Sequence, residues 1–139
     1  MTNERQTLLD DLGGEAVLRR VIDRFLDQVF ADPLIGFFFA NADHERVREK
    51  EFEFAAMHLG GRRSYSGRPL AVAHSTYPIT GGHFMRRLQI LKETLAEFSV
   101  SASVYTHWVA HTERMRDQVT DQQGSECAGG GKAEQWRPW

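Results

Sequence analysis

The chain is predicted to fold as one all-α domain. Apolar residues recur at intervals of three and four, strand-like alternation is scarce, and only four prolines interrupt 139 residues. A first short helix is expected over roughly Glu4 to Asp11, stopping at Gly13-Gly14, where glycine adopts the positive φ that ends a helix. The second runs from about Glu15 to Phe30. Its Val17, Leu18, Val21, Ile22, Phe25, Leu26 and Val29 form one wide apolar stripe, closed by Asp32-Pro33. The block IGFFFANAD, residues 35–43, puts three phenylalanines in a turn, and consecutive aromatics cannot all face one side.

Asp43 reads as the N-cap of a third long segment, HERVREKEFEFAAMHL, which ends at Gly60-Gly61 and carries Val47, Glu51, Phe54 and His58 on one face. A polar loop reaches Pro69, and the short segment LAVAHSTY precedes Pro78. Thr80 to Phe98 is the next helix, with Phe84, Leu88, Leu91, Leu95 and Phe98. Ser101 to Thr120 is the last, with Val104, Trp108, Met115 and Val119. After Asp121 the composition shifts to QQGSECAGGGKAEQWRPW. The expected organisation is therefore a domain over residues 1–121 and a flexible tail over 122–139.

Composition narrows the function. Seventeen Lys and Arg against nineteen Asp and Glu give a formal charge of −2, which offers no electrostatic case for nucleic acid or an anionic membrane as partner. The longest nearly uncharged apolar stretch, Leu34 to Ala42, is about half of the roughly 20 residues that a membrane span needs. The N-terminus carries charges where a secretory signal needs its apolar segment, so a cytoplasmic location is expected. The lone Cys127 makes no internal disulfide and excludes a cysteine-rich metal site, leaving His or carboxylate as metal ligands.

Six histidines and nine phenylalanines are more than a domain this size requires. His107 and His111 have the i, i+4 spacing of a metal-binding pair, but the sequence shows no third ligand, since Glu113 lies off their shared face. His111 falls near the apolar line of its helix. His44-Glu45 opens a charged helix without a second histidine at metalloprotease spacing. His58 is expected as a cation at a helix C-terminus, and His83 as a surface or cofactor-edge residue rather than a ligand.

Six features in order reach beyond fold class: LGG at 12–14, ADPLIGFFF at 31–39, LGG at 59–61, YSGRPL at 65–70, AVAHSTYPIT at 71–80 and HF at 83–84. With these features, residues 7 to about 120 resemble the truncated haemoglobins of group I, which fold as a two-on-two helical sandwich around haem. The resemblance implies haem b as cofactor, with the histidine of AVAHSTY, His74, as the proximal iron ligand. A neutral imidazole suits this role, one ring nitrogen binding iron while the other is oriented by a hydrogen bond.

The same resemblance implies haem contacts from Phe38, Phe39, Val47, Lys50, Glu51, Tyr65, Leu70 and Phe84. Phe39 matches the aromatic that wedges the disc. Lys50 matches a position that pairs with a haem propionate or, in some relatives, becomes a sixth iron ligand, and the Tyr65 hydroxyl could help hold the propionate. On the distal side the chain departs from its relatives. Group I members commonly place a tyrosine late in the second helix and a glutamine in the distal helix; those positions here are Leu26 and Glu51. A phenol donor is lost, and a carboxylate donates only when protonated. Glu51 has two open placements, in the pocket or at its rim, and Arg87 is positioned to pair with it.

The expectation is a protein that binds O2, CO or NO, for oxygen carriage or NO detoxification, with NO dioxygenation or a peroxidase-like side activity as candidate reactions. A reductase would serve the iron, and the chain would be a monomer or weak dimer. Two alternatives stand beside it: a six-coordinate redox or sensor protein with Lys50 as distal ligand, and a haem-free helical interaction domain.

Overall fold

The computed structural model describes residues 6–60 and 79–116, which form helices and turns with no strand. The helices are α1 (Leu8–Leu12), α2 (Glu15–Ala31), α3 (His44–His58), α4 (Gly81–Glu97) and α5 (Ala102–Arg114), with a 3-10 turn at Gly36–Phe39.

Helix α1 starts later than its expected Glu4 because Thr7 caps it. The Thr7 side chain accepts from the Asp10 N–H at 3.1 Å while the Asp10 carboxylate accepts from the Thr7 N–H at 3.2 Å, a reciprocal pair that fixes the first turn. Gly13 ends the helix at φ 122°, a conformation that a side chain would strain. Asp43 caps α3 as the sequence predicts, accepting from the N–H groups of Glu45 and Arg46. The expected C-terminal part of the last helix, residues 117–120, and the tail lie outside the described residues.

Helix α2 is the centre of the domain. Leu18, Val21, Ile22, Phe25, Leu26 and Val29 are all buried, and α2 packs against both α3 and α4. Burying each of its large side chains is worth roughly 1.5–3 kcal/mol. Leu88, Ile90, Leu91 and Leu95 of α4 and Val104 and Trp108 of α5 complete the core, with α5 packed on α4 and α1. Helices α3 and α4 each pack more closely on α2 than on one another, which leaves side chains to span the space between them.

The three consecutive phenylalanines separate as expected. Phe37 is 40% exposed, whereas Phe38 and Phe39 are 6% and 1% exposed. The turn is held by Asp32, whose carboxylate accepts from the N–H groups of Leu34 and Ile35 and from Arg86 of α4 at 2.8 Å. Burial would raise this carboxyl, but Arg86 and the two backbone donors outweigh it and hold Asp32 below its ordinary value.

Candidate functional site

Helix α3 carries Val47, Lys50 and Glu51, α4 carries Phe84 and Arg87, α2 carries Leu26, and the 3-10 turn carries Phe38 and Phe39. Leu26, Val47, Phe38, Phe39 and Phe84 are buried. Phe39 packs edge-on against Phe30 at 5.3 Å, so it also serves the core at the end of α2. Phe38 stacks on Phe37 at 4.3 Å and meets the edge of His83 at 5.0 Å.

Two opposite charges are buried as well. An N–H of the Arg87 guanidinium donates to the Glu51 carboxylate at 2.9 Å, with the two side chains only 7% and 6% exposed. This settles the placement of Glu51 inside the fold and joins it to Arg87. Burial pushes the Glu51 carboxyl above its ordinary value, and the charge and hydrogen bond of Arg87 oppose that shift. The Arg87 guanidinium also lies over the Phe25 ring at 4.9 Å, where the ring face attracts a cation.

Lys50 is placed differently. Its ammonium nitrogen lies 3.7 Å from the Glu53 carboxylate one turn along α3, with both side chains 13% exposed. Tyr65, Leu70 and His74 lie outside the described residues.

One histidine expectation is corrected. His58 is not a helix-end cation: it is largely buried, and burial first, then repulsion from His111 and His107, lowers its pKa to about 3. Its Nδ1 is 3.2 Å from His107 Nε2, and its ring stacks on His111 at 4.0 Å. The third imidazole that the sequence did not show beside His107 and His111 therefore comes from α3. Stacking and the ring-to-ring hydrogen bond join the three into a contact between α3 and α5, and no group of three His, Cys, Asp or Glu among the described residues is arranged to hold a metal ion. His83 is a capping residue: its Nδ1 accepts from the Thr80 N–H at 3.1 Å, so the ring closes the first turn of α4.

The fold and this site define an α-helical protein of the globin class. The profile of the bacterial-like globin family matches residues 7–121, and the chain belongs to that family. Its relatives include a group 1 truncated haemoglobin of Tetrahymena pyriformis, 31% identical over 84% of this chain and 97% of the other. Another, from Chlamydomonas moewusii, is 31% identical over 86% of this chain and 73% of the other.

Solved structures agree. The ferric truncated haemoglobin of Tetrahymena pyriformis matches with a TM-score of 0.71 and 29% identity, covering 83% of this chain and 98% of that one. The 2/2 haemoglobin of Synechococcus sp. PCC 7002, solved in the cyanomet state with covalently attached haem, matches with a TM-score of 0.73 and 25% identity, covering 81% and 97%.

Haem is the cofactor of this family, and the described residues fit it. Phe38, Val47 and Phe84 offer buried apolar surface to a large apolar disc, and Lys50 offers a cation near the surface suited to a carboxylate. Apart from Lys50, the polar content of the set is one opposed pair with no net charge, which an apolar macrocycle tolerates.

Proposed function

We propose that this chain binds small diatomic molecules, O2, CO and NO, at haem iron carried by His74, with Leu26, Val47, Glu51 and Arg87 on the distal side. The buried Glu51–Arg87 pair carries this reading. Replacing such a pair by well-packed apolar residues is often neutral or stabilising, so a buried pair spanning two helices that pack mainly on a third is a poor device for stability alone.

Haem, when bound, supplies an iron with a coordination position for the ligand. The chain does the rest. His74 would hold the group through one nitrogen of a neutral imidazole. Leu26 and Val47, both buried and without polar atoms in their side chains, exclude water and donate no hydrogen bond. Arg87 is the donor on this side, but Glu51 engages it. Neutral diatomic ligands therefore receive little hydrogen-bond support, and O2 leaves quickly. Lys50, which lies 3.7 Å from the Glu53 carboxylate, serves a haem propionate rather than the iron, because an amine must lose its proton to bind a metal.

Absorbance spectra of the ferric, ferrous and CO-bound protein test the haem reading, and stopped-flow O2 release tests the pocket. The expected O2 release is fast and slows when Glu51→Gln frees Arg87. Very slow release that ignores this substitution would overturn the reading, as would unchanged axial ligation in His74→Ala.

A further inference from the structure

His107 and His111 lie one turn apart on α5, and His58 meets both from the C-terminal end of α3. Helices α3 and α5 do not pack closely on one another, since α3 rests on α2 while α5 rests on α4 and α1. The imidazoles therefore bridge two helices that other elements hold in place. None of the three belongs to the residues assigned to haem.

Two of the nitrogens already stand at ligand spacing. His58 Nδ1 and His107 Nε2 are 3.2 Å apart, and the centroids of their rings 5.2 Å apart. Imidazole nitrogens at about 2.0–2.1 Å from a tetrahedral ion are separated by roughly 3.3–3.4 Å, so the gap bridged here by one shared proton is nearly the width that a metal ion spans. Admitting the ion needs a tautomer shift. The shared proton is exchanged for one on the far nitrogen of the same ring, which turns a lone pair from each ring toward the gap without changing the charge of either.

The third ring is close but turned. His111 stacks on His58 at 4.0 Å with 15° between the ring planes, so its lone pairs lie in a nearly parallel plane, and as the rings stand the three are not arranged as a metal centre. Its Nδ1 is, among the described residues, the buried side-chain polar atom that has no hydrogen-bond partner. A buried nitrogen in that condition costs free energy, and no hydrogen bond from it holds the ring in the stack.

We infer that His58, His107 and His111 form a capture site for a divalent transition-metal ion of the zinc type, held between α3 and α5. His58 Nδ1 and His107 Nε2 bracket the ion, His111 turns out of its stack to supply a third nitrogen, and water fills the open position. Imidazole suits such ions, whereas calcium and magnesium require oxygen ligands. Protons compete weakly at neutral pH, because burial and the neighbouring imidazoles lower the pKa of His58 to about 3, and burial also lowers that of His111. Arg114 is the cation that bears on both rings, and its exposure lets solvent and salt screen it from the ion. The Phe54 and Trp108 rings meet His58 edge-on and add no charge.

Zinc titration of the full chain, free of added histidines, tests this site independently of the haem reading. Calorimetry is expected to give one Zn²⁺ per chain, and X-ray absorption at the zinc edge three imidazole nitrogens at about 2.0–2.1 Å. Zinc should also raise the melting temperature, because the ion joins α3 to α5 only in the folded chain. His58→Gln, His107→Gln and His111→Gln should each weaken zinc by about tenfold or more, since each leaves two imidazoles where the ion needs three.

A titration without saturable binding would overturn the inference, as would zinc held equally well by any of the three variants. If His58→Gln fails to fold, the partly exposed His107 supplies the deciding variant, together with the imidazole count in the unaltered chain.

Discussion

At the scale of single residues, His58 sets the acid limit of this protein. It titrates at about 3 in the fold against 6.5 ordinarily, because burial and the neighbouring His111 and His107 disfavour its charged form. The unfolded chain therefore binds a proton that the native chain refuses. Stability is complete above about pH 6.5 and is lost as pH falls toward 3, by roughly 4 kcal/mol over that window. His58→Leu should flatten this limb in urea unfolding measured between pH 7 and 4, although it also gives up the hydrogen bond to His107. An unchanged slope would show that His58 is charged in the native state. Asp32 works in the opposite region: its carboxyl is held below the ordinary value, so its contribution disappears only as pH falls beneath that value. Asp32→Ala leaves Arg86 and two backbone N–H groups without their acceptor. It should cost about 2 kcal/mol at neutral pH, read from the denaturation midpoint.

At the scale of elements, the turn after α2 has the tightest steric requirement. A Cβ on Gly36 would clash with the Phe30 carbonyl oxygen, which belongs to helix backbone. Gly36→Ala should therefore destabilise the domain by about 1–3 kcal/mol, measurable by thermal unfolding, because the turn must move away from the end of α2. The same turn carries Phe38 and Phe39, so the variant should also loosen haem. Helix positions were legible in the sequence, since a stripe of apolar side chains and a cap are local features: Asp43 and the stripe of α2 are where the pattern puts them. The start of α1 was less legible, because Thr7 and Asp10 cap each other by a side-chain bond that an apolar pattern does not register. The role of His83 was missed for a related reason. Glu and Gln are the usual partners in such a cap, and here an imidazole nitrogen takes their place.

At the scale of the whole molecule, α2 holds α3 and α4 together, and haem is expected to add to that. A ligand that binds only the native state stabilises it by RT ln(1 + [L]/Kd), about 4 kcal/mol at a thousandfold excess over Kd. Removal of haem should therefore lower the melting temperature by several degrees, and readdition should restore it. Equal melting of the two forms would mean that the pocket is preformed core.

By itself the sequence determined the helical class and the order and faces of the helices, because caps and apolar spacing act over a few residues, and its ordered motifs carried the resemblance to the truncated haemoglobins. It also marked Glu51 and Leu26 as departures from the family pattern. The tertiary structure alone decided what those departures mean. Glu51 and Arg87 are 36 residues apart and His58 and His107 are 49 apart, so their pairing depends on how α3, α4 and α5 dock. Burial, which raises the Glu51 carboxyl in one pair and makes the other an acid-sensitive contact, exists only once those helices have come together.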